Sequence, residues 1–456
     1  MWGDIDWLLI IFINFHIRYF FKNQLLALKE IKPASSPLRW VPTTWFAMGL
    51  PNIMLSGTAL SVLYKNLEYT DSQIAFWTGV IVLPWSFKPL WGPFLEMFRS
   101  RRFYIYTTQL LAGICFALAA LSLYTDHFFP ISIVVFFLLA FFGATQDMAA
   151  DGMYLAELSA KDQARWVGWQ GTFYNVAKVF SNGGMVFLAG SLVASMGNVK
   201  GWSIVLGLYA VVMFLVGLYS VRILPRTQEE RSVKTGAEVW ETLVDVIRSF
   251  FQKPSVWAGI AFITLYRFAE GQAMKITPLF FLAKREVGGL GLTQAQVGLL
   301  TGIYGTIAFI LGSLLAGYLV SNKGLTRRML LTLCAFFNLP FAAYAYLAWF
   351  LPADMLSISL AVSIEYFGYG FGFIGIILFI MQQLAPGKYP LAHYAFGSAI
   401  TYLGFTAASM ISGYISDRYG YANFFIWVLV STLPAFLMTA LVPLRKESAS
   451  DSVNAS

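Results

Sequence analysis

The chain has 456 residues, of which 58% are apolar and only 12% are charged, and its formal net charge is +8. Soluble domains are about 45–50% apolar and about 25% charged, so this chain has too few polar residues to cover a soluble surface. The composition excludes a soluble enzyme, a nucleic-acid-binding protein and a disulfide-stapled secreted module. It indicates an integral membrane protein, in which a basic excess holds loops on one side of the bilayer.

Twelve apolar runs are long enough to cross a bilayer as helices, which takes about 20 residues each. They are too continuous for the alternating strands of a membrane barrel. Because backbone groups in lipid must be paired within the spanning segment, we predict an all-α integral membrane protein with 12 transmembrane helices. We number the spans 1 to 12 in the order 43–64, 72–94, 104–124, 131–156, 166–191, 202–223, 256–282, 294–320, 327–350, 355–384, 391–415 and 422–443.

One long polar break separates the first six spans from the last six. Residues 224–254 are charged, and their second part has the periodicity of a short amphipathic surface helix. The break predicts two six-helix bundles, 40–223 and 255–443, joined by a cytoplasmic linker. Residues 1–39 hold a short apolar run with charges in it, so we expect a cytoplasmic or interfacial segment there. Residues 444–456 are predicted to be a cytoplasmic tail.

The basic residues between spans decide the predicted orientation. With the N-terminus inside, most Lys and Arg outside the spans lie on the cytoplasmic side, as the positive-inside rule requires. We call the end of the molecule that carries these Lys/Arg-rich breaks the basic end, and the opposite end the far end.

Charged residues within the spans are the first candidates for function, because a charge at mid-bilayer costs about 2.5 kcal/mol or more without a partner or a water-filled cavity. Buried carboxylates are candidates for proton coupling, since desolvation disfavours their charged form. The proton-coupling candidates are Glu270, Asp147, Glu365 and Asp151. The substrate-binding candidates are Arg267, Lys178, Asn175, Lys275, Gln146, Tyr266 and Tyr366.

Some of these charges have a purely structural alternative. Arg267 and Glu270 lie three residues apart on span 7, and Lys178 could neutralise Asp147 between spans 5 and 4. In that interpretation the pairs only cancel charge inside the bundle. Lys88, near the end of span 2, is expected to reach the membrane surface by snorkelling.

The two halves repeat sequence features. The breaks after spans 2 and 8 share a glycine followed by a basic pair, and residues 413–420 form a third variant. The gating-loop candidates are Gly92, Glu96, Arg101, Arg102, Gly317, Arg327 and Arg328. Here a glycine permits close helix contact and the charges form a breakable latch at a helix end; positive-inside loops without a gating role are the alternative. Thr70 and Thr293 also read as matching helix-start signals before spans 2 and 8.

These loops resemble the Gly-x-x-x-Asp-Arg-x-Gly-Arg-Arg signature of the major facilitator superfamily. Over about residues 40–443, the chain also resembles the AmpG-type muropeptide permease group of that superfamily. The similar motifs are Gly49-Leu-Pro51 and Ser56-Gly57-Thr58 in span 1, Phe87-Lys88-Pro89-Leu90-Trp91 in span 2, Ala144-Thr145-Gln146-Asp147 with Asp151 in span 4, and Leu265-Tyr266-Arg267-Phe268-Ala269-Glu270 in span 7.

The resemblance implies a major facilitator fold, in which two six-helix bundles surround a central cavity lined by spans 4, 7 and 10. It also implies a proton-coupled secondary transporter of the bacterial inner membrane that imports a sugar-containing solute, a muropeptide or a related oligosaccharide, by alternating access. We expect a monomer without a metal or cofactor, whose partners are the solute, protons and the lipid bilayer, and no nucleic acid.

Other functions stay open at this stage. A proton-driven exporter of drugs or metabolites would have the same fold and cavity charges, and a non-transporting membrane sensor could share the fold. A membrane enzyme would need a catalytic His or a cluster of acids or metal ligands in one loop, and the short loops of this sequence show neither. We therefore expect no enzyme.

The predicted orientation can be tested with reporter fusions. The N-terminus, the 224–254 linker and the C-terminus are expected on one face, the cytoplasmic one, because six spans in each half return the chain to its starting side. A reporter inserted in the linker that is active only on the outer face would contradict the two-bundle organisation.

Overall fold

The structure is a computed structural model in which every regular element is a helix, within the part of the chain that it describes. The described residues are 36–92, 95, 100–158, 160–225 and 236–444. The predicted N-terminal segment up to residue 35, the first part of the linker, Glu96 and the tail from residue 445 lie outside them.

The helices fall on all twelve predicted spans. In the N-terminal half they are Pro37–Ser56 and Thr58–Asn66 (span 1), Asp71–Phe87 with the 3-10 turn Lys88–Leu90 (span 2), Arg101–Ser122 (span 3), Phe128–Glu157 (span 4), Ala160–Lys178 with the π-helical Val179–Met185 and then Val186–Met196 (span 5), and Asn198–Ile223 (span 6). The linker contributes the helix Gly236–Phe251.

The C-terminal half has the same order of elements. They are Val256–Tyr266 and Phe268–Leu282 (span 7), the 3-10 turn Arg285–Val287, Gln294–Gly298 with the π-helical Leu299–Tyr304 and then Gly305–Lys323 (span 8), Arg327–Asn338 and Phe341–Phe350 (span 9), Met355–Phe379 with the π-helical Ile380–Leu384 (span 10), Pro390–Val430 (span 11 and the first part of span 12) and Leu433–Leu441 (the second part of span 12). Gly420, with a φ of 72°, separates spans 11 and 12 within the long helix.

The helices that are long and apolar enough to cross a membrane are fewer than the twelve predicted spans, within the described part of the chain. By length and hydropathy alone, 8 of the described helices can cross a bilayer, or 9 if the bent pair Pro37–Ser56 and Thr58–Asn66 is one span. Span 2 is a 17-residue helix, span 7 is broken, and spans 11 and 12 run together. The all-helical membrane fold is confirmed, and the count of twelve crossings stays a prediction.

Spans 2 and 8 begin with the same local structure. The backbone N–H of Thr70 donates to the Gln73 side chain at 3.1 Å, and the Thr70 hydroxyl accepts the N–H of Gln73. Thr293 and Gln296 make the same pair of bonds. This capping box satisfies two N–H groups that a helix start leaves unpaired. The repeated helix start predicted from the sequence is confirmed.

Arginines at equivalent places in the two halves bind the ends of neighbouring spans. Arg102, at the start of span 3, donates to the carbonyl of Val221 at the end of span 6. Arg327, at the start of span 9, donates to the carbonyls of Thr439 and Val442 at the end of span 12. A cation is favoured beside the unpaired carbonyls of a helix C-terminus. These bonds join spans of the same half. That they break during transport, as the gating-loop prediction requires, stays a prediction.

The two gating-loop glycines behave differently. A Cβ at Gly92 would lie 2.6 Å from the sulfur of Met148, so this glycine does permit close contact between spans 2 and 4. At Gly317 a Cβ would meet nothing within 4 Å. The close helix contact expected at Gly317 is therefore wrong, because span 8 faces open space there.

The linker helix Gly236–Phe251 lies against the C-terminal half at the basic end. Its buried face consists of Val239, Leu243, Val246 and Phe250, and the neighbouring stripe of Trp240, Val244 and Phe251 is exposed. One apolar stripe packs against the protein, and the neighbouring exposed stripe suits contact with lipid. This pattern is typical of a helix at the border between protein and lipid, with its charged face toward water. The amphipathic surface helix predicted for the linker is confirmed.

A polar contact holds this helix to the loop between spans 10 and 11. Lys388 lies 2.7 Å from Asp245, and the hydroxyl of Tyr389 donates to the same carboxylate at 2.7 Å. These hydrogen bonds hold the pKa of Asp245 below its usual range. A carboxylate with a lowered pKa stabilises the contact at neutral pH, and that stabilisation is lost as the pH falls through the lowered value.

The two halves meet through polar contacts at the far end. Asp71, at the start of span 2, is buried, pairs with Lys65 of its own half at 2.5 Å and accepts a hydrogen bond from Tyr421 of the other half at 2.8 Å. Asp417, between spans 11 and 12, accepts the backbone N–H of Ser72 at 2.9 Å, which places a carboxylate at the start of span 2. The far end is closed by these bonds.

Glycines bring the two halves into backbone contact at the same end. A Cβ at Gly413 of span 11 would lie 2.1 Å from the carbonyl oxygen of Asp71, and a Cβ at Gly302 of span 8 would lie 2.1 Å from the Cα of Gly183 in span 5. Gly183 and Gly302 both belong to π-helical segments. Only glycine allows so close an approach, which lets four helices seal the far end.

We expect the Asp71 contacts to keep the far end shut. Asp71→Asn removes the charged acceptor that Tyr421 of the other half binds. It should raise, at least about tenfold, the rate at which a maleimide added outside labels a cysteine placed at Thr301 in the cavity wall, because a hydrogen bond to a charged group contributes about 1.5–3 kcal/mol. The control is Asp245→Asn, whose ion pair lies at the basic end. Equal labelling rates in the two variants would contradict this role of Asp71.

Candidate functional site

A cavity of about 450 Å³ lies between the two halves, within the range of about 300–1,000 Å³ typical of small-molecule sites. Its wall combines aromatic rings, amides and a few charges. The aromatic residues are Tyr174, Phe309, Tyr344, Tyr366, Tyr369, Phe373, Tyr402 and Phe405, the polar ones include Asn52, Ser56, Asn175 and Asn182, and the charged ones are Lys178, Arg267 and Glu270. Such a wall suits a solute with rings and many hydrogen-bonding groups.

Span 7 breaks where it reaches the cavity. Its first helix ends at Tyr266 and its second begins at Phe268, and Arg267 between them has non-helical backbone angles of φ −99° and ψ 5°. Glu270 lies in the first turn of the second helix, where the helix dipole favours a carboxylate. The break therefore presents a cation and an anion side by side at the cavity wall.

Arg267 and Glu270 form a two-pronged ion pair. Arg267 donates from Nε to Glu270 Oε2 at 2.6 Å and from Nη2 to Oε1 at 2.8 Å, and both side chains are buried. The guanidinium also lies over the rings of Phe405 and Phe373, at 4.5 and 5.2 Å. Parallel N–H···O bonds and ring faces are the contacts that best hold a buried guanidinium. The structure thus contains the pair that the sequence suggested.

Lys178 does not pair with Asp147, so that alternative is wrong. Its ammonium lies over the ring of Phe309 at 4.6 Å and that of Tyr366 at 5.8 Å, both from the other half. Span 5 turns Lys178 toward the C-terminal half and away from span 4. Among the described residues Lys178 forms no ion pair.

Asp147 has partners on span 2 instead. The indole of Trp85 donates to Asp147 Oδ2 at 2.8 Å, and Lys88 Nζ lies 3.6 Å from the same oxygen. Lys88 therefore turns inward to a carboxylate rather than snorkelling to the membrane surface, and without it the buried Asp147 would be a charge without an ionic partner. The pair stays within the N-terminal half, and neither residue lines the cavity.

Glu365 lies behind the cavity wall. Its carboxylate is buried and accepts a hydrogen bond from the hydroxyl of Tyr344 at 2.7 Å. Tyr344 and Tyr366 line the cavity, whereas Glu365 does not. A change of charge on Glu365 would therefore act on a bound solute indirectly, through the hydroxyl of Tyr344.

Three predicted substrate-binding residues lie away from the cavity. Gln146 is fully buried in span 4, Lys275 is buried on a neighbouring face of span 7, and the buried hydroxyl of Tyr266 donates to the carbonyl of Gly372 at 2.9 Å. None of the three is among the residues that line the cavity. Asp151, one turn beyond Asp147 along span 4, is exposed and does not line the cavity.

Sequence reasoning also missed part of the wall. Phe309, Phe373 and Phe405 contact the two cavity cations, yet phenylalanine in an apolar span gives no signal that separates a cavity face from a lipid face. Asn52 in span 1, which accepts a hydrogen bond from Tyr174 at 2.9 Å, was recognisable as a polar residue within a span.

The revised pairing of Asp147 predicts the outcome of two double-mutant cycles. Lys88→Met and Asp147→Asn should each destabilise the purified protein, because each single change leaves one charge alone. The loss of stability in the double variant should be smaller than the sum of the two single losses, by a coupling energy of about 0.5–3 kcal/mol. Lys178→Met with Asp147→Asn should be additive within about 0.5 kcal/mol. Coupling in the second cycle but not in the first would contradict the observed contacts.

The chain is similar in sequence to known proteins. The family model of the Major Facilitator Superfamily matches residues 45–407. The chain is 23% identical over 402 residues to the anhydromuropeptide permease of Escherichia coli (strain K12), covering 86% of this chain and 77% of the permease. It is 19% identical over 406 residues to a Rickettsia conorii protein named as transporter AmpG 4, covering 84% of this chain and 93% of that protein.

Solved structures of transporters have the same fold. A bacterial homologue of the human lysosomal transporter Spinster, in an inward-facing conformation, aligns with a TM-score of 0.66 at 14% identity, covering 90% of this chain and 98% of that one. The D-xylose-proton symporter aligns with a TM-score of 0.64 at 17% identity, covering 89% and 97%. The chain belongs to the Major Facilitator Superfamily and is a multi-pass membrane transporter of that family rather than an enzyme.

Proposed function

We propose that this protein is a proton-coupled secondary transporter that imports a sugar-containing solute, a muropeptide or a related oligosaccharide, across the bacterial inner membrane. The observation that carries the proposal is the buried Arg267–Glu270 pair at the wall of a cavity between two halves. Protonation or solute binding can break an ion pair that lines a cavity, so charges at this place indicate a function in transport.

The closure at one end supports alternating access. The halves are bound together at the far end by Asp71, Tyr421 and Asp417. With the basic end in the cytoplasm, as we propose, a closed far end is what an inward-facing state requires. Opening of the far end and closure of the basic end would present the same cavity to the outside.

Protonation of Glu270 is the proposed coupling event. The ionised carboxylate holds Arg267 through two hydrogen bonds, whereas a protonated Glu270 can no longer pair with it. The guanidinium is then free to bind solute or water in the cavity. If the inward-facing and outward-facing states prefer different protonation states of this pair, a proton gradient shifts their populations. Asp147, Glu365 and Asp151 are the reserve candidates for this role.

The cavity wall supports a sugar-like solute. Rings from both halves, among them Tyr174 and Tyr366, offer flat surfaces to the apolar faces of sugar rings, and Asn52, Asn175 and Asn182 offer amides to hydroxyl and acetamido groups. The relative named as an anhydromuropeptide permease and the structural neighbour named as a D-xylose-proton symporter favour the same class of cargo.

The coupling role of Glu270 is tested in proteoliposomes with an imposed pH gradient. Glu270→Gln should keep the fold and solute binding but lose accumulation driven by the gradient, while exchange of internal for external solute continues, because only the proton-linked step needs an ionisable side chain. The control is Glu286→Gln, an exposed acid in a far-end loop, which should accumulate solute as the wild type does.

Two results would contradict the proposal. Uphill accumulation by Glu270→Gln with an unchanged pH profile would leave Arg267–Glu270 as a structural pair. Outward flux against the gradient by the wild-type protein would reverse the direction and indicate an exporter of the same fold.

A further inference from the structure

The cavity contains two cations whose surroundings differ. Arg267 is neutralised by Glu270 within its own helix break. Lys178 reaches the cavity from span 5 and has no carboxylate partner among the described residues. Glu365, which lies behind the cavity wall, accepts a hydrogen bond from Tyr344 and forms no ion pair with Lys178. The charged residues of the wall therefore carry one positive charge in excess.

The rings beside Lys178 do not replace an anion. A cation over aromatic faces gains about 0.5–2 kcal/mol. A lysine at the centre of a membrane protein costs about 2.5 kcal/mol or more, so the faces of Phe309 and Tyr366 offset only part of that cost. Water in the cavity can solvate the ammonium, and an anion would bind there by displacing that water.

The position of Lys178 also suits a contact that depends on both halves. The lysine comes from the N-terminal half, whereas Phe309 and Tyr366 come from spans 8 and 10. An anion bound to the ammonium would lie between the halves, beside the rings available for stacking. A solute that carries its charge close to a ring matches this layout.

We infer that Lys178 binds an anionic group of the transported solute, so that the cavity selects a ring-bearing solute with a carboxylate or a phosphate over its neutral analogue. This inference rests on the proposed sugar-like solute and names its charge class. Arg267 is the less suitable anion site while Glu270 is ionised, because a second anion would have to compete with a two-pronged partner.

The test measures binding, not transport, by equilibrium dialysis of the purified protein in lipid nanodiscs. Three probes are compared: N-acetylglucosamine, N-acetylmuramic acid, which adds a carboxylate to the same sugar, and N-acetylglucosamine 6-phosphate, which adds a phosphate. The wild type should bind at least one anionic probe about tenfold or more tighter than the neutral one, as expected of a charge-assisted hydrogen bond. Which anionic probe binds identifies the group.

Two variants assign the preference to Lys178. Lys178→Met should lose the preference while binding N-acetylglucosamine within about twofold of the wild type, which also shows that the cavity is intact. Lys178→Arg should retain most of it, because the charge is kept. If Lys178→Met does not fold, the same three probes are compared on the wild type and on Lys178→Gln, which should also lose the preference for the anionic probe.

Several results would overturn the inference. Equal wild-type binding of all three probes, or a preference that survives in Lys178→Met, would exclude this role of Lys178. Binding of N-acetylglucosamine alone would overturn the inference and leave the proposed sugar transport standing. Failure of all three probes would overturn the inference together with the sugar-like solute of the proposed function.

Discussion

The buried ion pair of Arg267 and Glu270 is the interaction around which the cavity is organised. Each charge would be costly alone in a protein interior surrounded by lipid, and each offsets part of that cost for the other. The break in span 7 brings them together, and rings from spans 10 and 11 close over the guanidinium. A pair held this tightly is stable while both groups are charged and fails when one is neutralised, which makes it suitable as a switch.

The two halves treat their charges differently. In the N-terminal half, Asp147 and Lys88 neutralise each other away from the cavity, which leaves Lys178 as a cation facing the other half. In the C-terminal half the charged pair itself lines the cavity. In the proposed mechanism, one half offers a fixed positive charge and the other a charge that protonation alters, so different residues of one cavity carry solute recognition and proton coupling.

The sequence predicts the features that depend on residues close together in the chain. Apolar runs predict the spans, Thr70 predicts the start of span 2, and a spacing of three residues predicts the pair of Arg267 and Glu270. The partner of Asp147 depends on how spans 2, 4 and 5 are rotated against one another, and this rotation is set by packing. The contact between Gly183 and Gly302 likewise joins residues far apart in the chain.

Alternating access in this protein should depend on the protonation of Glu270. The most direct measurement is the distance between spin labels at Met196 and Val287, exposed residues of the two halves at the far end, recorded by pulsed electron resonance at several pH values. In the parent protein the distance distribution should change with pH as the far end opens and closes, and with Glu270→Gln it should be the same at every pH. A pH-dependent change that persists unaltered in Glu270→Gln would contradict this account.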